Sequence, residues 1–167
     1  MEEQKSLSVL VDTACARTVA GSDWIEKVTS ELKEKGIEWK EVPDSESFRF
    51  GPGARIFSQK AVLLPIAIGD HILALRVSVV DRPMPCLLSR PALKKIGATL
   101  DLRDHVARFP RLGDSFLPLI ELASGHVALQ LWDFKEGLRF SNVELCPGDK
   151  VTGEEVFALN SSLEKTL

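Results

Sequence analysis

The stretch LLSRPALKKIGATLDL, residues 87–102, contains the most specific pattern in this chain of 167 residues. An apolar pair leads into a Ser-Arg step, and Pro91 stands where the first turn of a helix tolerates a residue without an N–H. Gly97 predicts the end of that helix, because glycine readily adopts the left-handed conformation that closes many helices. The pattern therefore predicts a short strand, a short helix beginning near Pro91, and a further strand at residues 98–102.

A second informative stretch, VLVDTA at residues 9–14, lies near the start of the chain. Its apolar residues predict a strand that enters the core, with Asp12 and Thr13 at its carboxyl end. Reactive side chains often project from the carboxyl ends of strands. An aspartate at a strand end also has a plainer role, since its side chain can cap a turn. The stretch alone leaves both interpretations open.

Most of the remaining sequence up to residue 108 has the pattern of strands. Residues 22–36 predict a helix with Ser22 as its N-cap, and FRFGPGARIF at residues 48–57 predicts a hairpin around a Gly-Pro-Gly turn. Residues 61–68 and 71–80 predict two long apolar strands, with a bulge or an edge position at the proline in the first of them. Many strands, frequent turn signals and two helices predict a mainly-β, small barrel-like domain.

The pattern is weaker beyond this domain. We assign residues 1–108 to one domain and residues 109–134 to an extension, in which residues 116–122 and 127–132 form a hairpin around a Ser-Gly turn. Residues 135–167 have little periodicity and predict a tail or linker with little fixed structure. We expect the chain to be a domain of a longer polyprotein.

Composition narrows the classes of function. The net charge of −3 and the interleaving of basic with acidic residues predict no nucleic-acid partner and no anionic membrane partner. No apolar stretch reaches the roughly 18 residues of a membrane span, and no signal peptide is visible. Three widely spaced cysteines and three isolated histidines argue against a disulfide framework and a metal site. We therefore expect a soluble intracellular protein without metal or cofactor.

The order and spacing of three elements resemble the retropepsin-like aspartic proteases of retroviruses and retrotransposons. These elements are the strand ending in Asp12-Thr13, the glycine-bearing hairpin about forty residues later, and the strand, helix and strand of residues 87–102. The resemblance covers residues 7–105. It implies a mainly-β, retropepsin-like acid-protease barrel with a flap hairpin, one helix after the catalytic loop and one short C-terminal helix. The extra hairpin of residues 109–134 lies outside it.

The resemblance implies a catalytic role for Asp12, with Thr13 bonding across a dimer axis and the backbone near Ala14 supporting the carboxylate. In that family two carboxylates share one proton, so that one activates a water and the other protonates the scissile carbonyl. This chain has no second Asp-Thr element, and the surroundings of Asp81, Asp101 and Asp133 do not match it. A homodimer with one catalytic aspartate per chain is therefore expected.

The resemblance also assigns residues around the catalytic loop. The flap would comprise residues 48–57, and its substrate-binding part, together with one residue of the later strand, would comprise Phe50, Gly51, Pro52, Gly53 and Leu87. Ser89 and Arg90 would support the loop, with Arg90 paired to a carboxylate for which Asp23 is the candidate. The strand at residues 98–102 would supply the dimer sheet.

Two positions depart from the family pattern, because Ala14 and Ser89 stand where glycine is usual. An alanine at residue 14 is tolerated if its φ is negative and strained if its φ is positive. The function that the resemblance implies is aspartic endopeptidase activity on a peptide or polyprotein substrate in a retroelement. The alternatives are a catalytically inactive dimerisation or peptide-binding module on the same fold, and an unrelated β-domain in which the motifs match by chance.

Overall fold

A computed structural model describes residues 7–132 and 156–158 of the chain. Its two helices are α1 (Ser22–Glu34) and α2 (Arg90–Ile96). Its strands are β1 (Val9–Asp12), β2 (Val19–Gly21), β3 (Lys40–Pro43), β4 (Ser47–Phe48), β5 (Ile56–Phe57), β6 (Lys60–Ile68), β7 (His71–Val80), β8 (Cys86–Ser89), β9 (Thr99–Asp101), β10 (Val106–Phe109), β11 (Ser115–Pro118), β12 (Ile120–Glu121), β13 (Val127–Leu129) and β14 (Val156–Ala158). The expected mainly-β class is confirmed.

Most of the strands form one mixed sheet in the order β12-β13-β1-β8-β2-β7-β6-β3, and β14 joins it beside β7. The pairs β1–β8 and β2–β7 are parallel, and the other pairs are antiparallel. The long strands β6 and β7 pair along nine residues and are buried over almost their full length. The backbone ladder and most side chains of these two strands are therefore withdrawn from water.

The proline of β6 sits at an edge position and produces no bulge. Pro65 pairs with Ala74 of β7, and the register continues without interruption on either side. On the opposite side of β6, β3 pairs only with residues 60–63, so it ends before Pro65 is reached. A residue without an N–H is tolerated there because no ladder hydrogen bond is required of it.

Helix α1 packs its apolar face on the sheet. Trp24, Ile25, Val28 and Leu32 are buried, and the Trp24 ring meets that of Trp132 edge to face at 5.4 Å. The prediction of Ser22 as N-cap is wrong by one residue, since Gly21 is the N-cap and makes no side-chain capping bond. A Cβ at Gly21 would lie 2.2 Å from the carbonyl oxygen of Arg82, so that position requires glycine.

The region after α2 differs from its prediction. Strand β9 pairs with β10 and β10 with β11, which gives a separate three-stranded sheet that the sequence pattern did not reveal. The predicted strand at residues 116–122 is divided, because residues up to Pro118 pair with β10 while Ile120–Glu121 pair with β13. Leu119 is buried between the two segments, and its N–H donates to the carbonyl of His105.

The hairpin around Ser124-Gly125 exists, but it is not an extension outside the domain. Its second strand, β13, pairs with β1, and the N–H of Ala67 donates to the carbonyl of Leu131 at 2.8 Å. Residues 1–6, 133–155 and 159–167 lie outside the described part, and with them most of the predicted tail; within that tail, residues 156–158 form β14. In the part of the chain that is described, neither helix has the length and apolarity needed to cross a membrane.

Candidate active site

Asp12 is the last residue of β1, a strand held between β13 and β8. Its carboxylate oxygen Oδ1 accepts a hydrogen bond of 3.1 Å from the N–H of Ala14, and its carbonyl accepts one of 3.1 Å from Cys15. These bonds fold the chain into a tight turn directly after the strand. Asp12 is half-buried, whereas Thr13 and Ala14 are exposed, so the turn presents the carboxylate at the surface on a firmly held strand.

Ser89 lies opposite Asp12 in the parallel pair of β1 and β8 and connects three segments. Its hydroxyl accepts hydrogen bonds from the N–H of Ala92, which caps α2, and from the hydroxyl of Thr18 at 3.0 Å. The N–H of Ser89 donates in turn to the Thr18 hydroxyl at 3.1 Å. Ser89 and Thr18 are completely buried, so water does not compete for these hydrogen bonds. The structure therefore places Ser89 directly behind the aspartate turn, in a supporting position.

Thr18 was missed by sequence reasoning. It follows the aspartate turn by only a few residues, but nothing in its local sequence distinguishes it from an ordinary exposed threonine. Its partner Ser89 is 71 residues away, and the contact exists because β2, which Thr18 directly precedes, pairs with β8 in the sheet. A second bond in the same place, from the N–H of Arg90 to the carbonyl of Cys15 at 3.1 Å, ties the turn to the start of α2.

The backbone at Ala14 is not strained. Among the described residues, those other than glycine that have a positive φ are His105 and Asp114. Residue 14 is therefore in a conformation that an alanine adopts without penalty. Of the two possibilities that the sequence left open at this position, the tolerated one holds in this chain.

The hairpin predicted at residues 48–57 is present as β4 and β5, paired at Ser47↔Phe57 and Phe48↔Ile56. At its tip Gly51 has a φ of 77° and Gly53 a φ of 142°, and both require glycine for conformational reasons. A Cβ at either glycine would meet nothing within 4 Å, so the tip, including Pro52, projects into open space.

The apolar residues of the hairpin cover the segment that follows Asp12. The Phe48 and Phe50 rings are stacked at 5.9 Å, and the guanidinium of Arg82 lies 5.4 Å from the centre of the Phe50 ring. Phe48 belongs to a small buried cluster whose other members come from β2, the end of β7, β8 and the aspartate turn. These members and the half-buried residues packed on them are Val19, Val80, Cys15, Phe50, Ile56, Met84 and Leu87. The structure thus brings predicted residues Phe50 and Leu87 into one cluster beside the turn.

The expected pairing of Arg90 with Asp23 is wrong. Arg90 is exposed at the first position of α2, and the ion pairs found among the described residues do not include it. The Oδ1 atom of Asp23 instead accepts a hydrogen bond of 3.4 Å from the N–H of Met84. Arg90 supports the turn through its backbone N–H, which donates to the carbonyl of Cys15, because its guanidinium extends into water.

A buried charged network near the base of the hairpin was also missed. Asp44 follows β3 directly, and its carboxylate accepts hydrogen bonds from Arg76 and from the hydroxyls of Ser58 and Ser78. The side chains of Asp44 and Arg76 are only 3% and 5% exposed, so the ion pair is withdrawn from water. Arg76 and Ser78 are polar residues on one face of the otherwise apolar β7, which is the signal in the sequence that could have revealed the network.

The same network determines the ionisation of Asp44. Burial acts to raise the pKa of its carboxyl, but hydrogen bonds from Ser58, Arg76 and Ser78 and the charge of Arg76 outweigh burial. The net effect holds the pKa of Asp44 below its ordinary value of 3.8. This carboxylate stays charged at neutral and mildly acidic pH and is fully engaged by its partners, so it is unsuited to exchanging protons with a substrate.

No protein-family model matches this chain, and no curated protein matches it significantly. The chemistry of the site therefore has to be inferred from its geometry. That geometry is a surface carboxylate on a rigid strand, a supporting serine behind it, and an apolar hairpin packed over the segment that follows. One carboxylate can act as a general acid or base, but hydrolysis of a peptide without a metal needs a second group to complete the proton transfers.

Proposed function

We propose that this chain is an aspartic endopeptidase of the retropepsin-like type that acts as a homodimer and takes peptide segments of a polyprotein as substrate. The observation that carries the proposal is the position of Asp12. It ends a central strand, lies opposite Ser89 at the start of α2, and is followed by a segment over which the β4–β5 hairpin packs. These are the relationships that the sequence resemblance implies among catalytic loop, supporting helix and flap.

Two other aspartates, Asp44 and Asp101, are already engaged within the chain, which favours a dyad made by two chains. Asp44 is locked in its buried network, and Asp101 Oδ1 already accepts hydrogen bonds from the N–H groups of Arg103 and Asp104. A second copy of Asp12 would supply a partner carboxylate of the same kind. Strand β9 lies at the edge of its three-stranded sheet, and such an edge can pair with another chain.

In such a dimer, each chain contributes one carboxylate across a two-fold axis. The ionised carboxylate removes a proton from a water, and the resulting hydroxide attacks the scissile carbonyl carbon while the protonated carboxyl donates its proton to the carbonyl oxygen. As the tetrahedral intermediate collapses, the C–N bond breaks and the departing amine takes the proton that the first carboxylate removed from the water. The second carboxylate takes back a proton from a hydroxyl of the intermediate as the new carboxyl group forms. The hairpin would close over the peptide and exclude bulk water during these steps.

The test compares the wild-type chain with Asp12→Asn in cleavage of an unstructured peptide library at mildly acidic pH. Asp114→Asn is the matched control, because Asp114 is exposed and its positive φ is one that asparagine also adopts. We expect cleavage by the wild type and the control, loss of about 10³-fold or more in Asp12→Asn, and inhibition by a statine-type transition-state mimic.

Sedimentation of the same samples separates the alternatives. A dimer that cleaves, with activity lost in Asp12→Asn, supports the endopeptidase. A dimer that binds peptides without cleaving any of them would favour the inactive binding module. A monomer that remains inactive at high concentration would contradict both, since neither Asp12 nor the hairpin would then complete a site.

A further inference from the structure

The β4–β5 hairpin has few backbone connections to the rest of the molecule. It forms a two-stranded sheet of its own with two residue pairs, and neither strand pairs with the large sheet. The ladder between β3 and β6 ends at Pro43↔Lys60, so it holds the chain only up to the point where the hairpin segment begins. An isolated hairpin of this size is unstable in water, and other contacts must determine where it lies.

A closed set of hydrogen bonds joins the two ends of this segment. The N–H of Ser58 donates to the carbonyl of Glu46 at 2.8 Å, and the N–H of Glu46 donates to the hydroxyl of Ser58 at 2.8 Å. That hydroxyl donates its own proton to Asp44 Oδ2 at 2.5 Å. Ser58 therefore uses its backbone and side chain together to fasten both ends of the hairpin to one carboxylate.

The carboxylate of Asp44 is in turn bonded to side chains of β7, a long and largely buried strand. Arg76 and Ser78 of β7 both donate to it, the serine hydroxyl at 2.8 Å to Oδ2. Strand β7 is paired along its length with β6 and on its other side with β2 and β14, so its side chains have little freedom. The hairpin root is thus connected through Asp44 to a strand that is paired on both sides.

Stability alone is a poor reason for such a network. A buried ion pair often contributes no more to stability than apolar residues of the same volume would, because two charges lose their hydration. What the pair provides here is a defined position, since hydrogen bonds are directional and a carboxylate with three donors has a single arrangement. The position it defines is that of the hairpin root. Phe48 and Phe50 follow Glu46 by two and four residues and reach the cluster beside Asp12 from there.

We propose that Asp44 and Ser58 are positioning residues, which clamp the root of the β4–β5 hairpin to β7 and thereby fix the placement of the hairpin over the Asp12 turn. The clamp holds residues 46 and 58 in place while the Gly51–Gly53 tip remains free to move. The consequence for catalysis rests on the proposed function, whereas the mechanical role of the clamp does not.

Two serines allow a matched test. Ser58 and Ser78 are both buried, and both hydroxyls donate to the same oxygen of Asp44, but only Ser58 contacts the hairpin. Ser58→Ala and Ser78→Ala should therefore lower the melting temperature of the full-length protein by similar amounts. Hydrogen exchange of residues 46–58, followed by mass spectrometry, should become roughly tenfold faster in Ser58→Ala and remain unchanged in Ser78→Ala.

Kinetics with a cleaved peptide provide a second readout. Because a misplaced hairpin weakens substrate binding in the ground state and the transition state alike, Ser58→Ala should raise KM roughly threefold to tenfold with kcat within about twofold. Ser58→Thr retains the hydroxyl and should restore exchange and KM toward wild-type values. If Ser58→Ala does not fold, Ser58→Cys, which keeps the volume but is a weak donor, takes its place.

The outcomes are distinguishable. Equal exchange rates at residues 46–58 in Ser58→Ala and Ser78→Ala would overturn the clamp and leave the network with a general stabilising role. If the wild type cleaves no peptide, the proposed function fails, but the exchange comparison still decides whether the clamp exists. Cleavage by the wild type with identical kinetics in both serine variants would retain the endopeptidase and contradict the positioning role.

Discussion

Asp12 and Asp44 are both aspartates at or directly after the end of a strand, and their surroundings differ almost completely. Asp12 is half-buried and accepts a hydrogen bond from the N–H of Ala14, two residues along the chain. The side chain of Asp44 is only 3% exposed, and its carboxylate accepts bonds from Arg76, Ser58 and Ser78, which are distant in the sequence. The first carboxylate is held by its own turn and faces solvent, whereas the second connects separate parts of the fold.

This difference shows how one residue type serves two purposes. A carboxylate that takes part in proton transfer must be reachable and must be able to change its protonation state. A carboxylate that fixes a position must stay charged and keep all of its donors, and burial among them achieves both. The comparison therefore predicts that Asp12→Asn mainly lowers activity, whereas Asp44→Asn mainly lowers the free energy of unfolding.

The largest expected effect on stability is that of Asp44→Asn. Removal of one partner from a buried ion pair leaves Arg76 charged and uncompensated, so the free energy of unfolding should fall by about 3–5 kcal/mol. Asp12→Asn should change it by less than about 0.5 kcal/mol, because the residue is partly exposed and keeps an acceptor for Ala14. Urea denaturation at one fixed protein concentration measures both, since the proposed dimerisation would also contribute to stability. Equal losses in the two variants would contradict the distinction.

The sequence predicted one member of this pair and not the other for a physical reason. Asp12 belongs to one contiguous stretch that contains the strand, the aspartate and the turn. The helix α2 and the hairpin are each encoded by a contiguous stretch as well. Asp44 meets Arg76 over 32 residues and Ser78 over 34, and these contacts arise only when β3, β6 and β7 are assembled. A charged residue in the apolar run of β7 indicates that a buried partner exists, but it does not identify that partner.

The same distinction explains which elements were predicted. Helix α2 was recognised because Pro91 and Gly97 determine its start and end locally, and the φ of 68° at Gly97 agrees with that reasoning. The path of residues 115–122 was not, because which strand each residue joins depends on β10 and β13 competing for it. Pairing between distant strands leaves little trace in a single sequence.

A second prediction concerns replacement of the whole pair. The double variant Asp44→Leu with Arg76→Met removes both charges and keeps apolar volume, so its free energy of unfolding should recover to within about 1–2 kcal/mol of the wild type. If the network positions the hairpin, hydrogen exchange at residues 46–58 should nevertheless be faster in this variant than in the wild type, because no group replaces the bond to Ser58. Recovery of both stability and slow exchange would show that packing alone holds the hairpin.

The lowered pKa of Asp44 also makes the stability of the protein depend on pH. The pKa of Asp44 is lowered in the folded state, so its contribution to stability is complete above its ordinary value of 3.8. That contribution is lost as the pH falls below 3.8 and through the lowered pKa of the folded state. Urea denaturation at several pH values across this range should show a decline in the free energy of unfolding of the wild type, and this decline should be smaller in Asp44→Asn. A decline of the same size in Asp44→Asn would mean that other carboxylates cause it.

This pH window also bears on the proposed activity. An aspartate dyad works at mildly acidic pH, where Asp44 is still ionised and its clamp on the hairpin is still intact. If the clamp is needed for activity, activity at low pH should be lost before the protein unfolds. Hydrogen exchange at residues 46–58 should become faster over the same pH range. If hydrogen exchange at residues 46–58 stays slow while activity is lost, the loss of activity at low pH would be due to protonation of the catalytic dyad rather than to the clamp.

The smallest expected effect is that of Ala14→Gly, the change that restores the residue usual in the retropepsin-like pattern. Because φ at residue 14 is not positive, glycine relieves no strain there and only increases the freedom of the unfolded chain. The free energy of unfolding should fall by about 0.4–1 kcal/mol, and the rate of peptide cleavage should not rise. Calorimetry and steady-state kinetics on the same preparation test this. A large gain in the rate of cleavage would contradict this expectation. It would indicate that the Ala14 methyl group lowers activity by crowding the second chain of the proposed dimer.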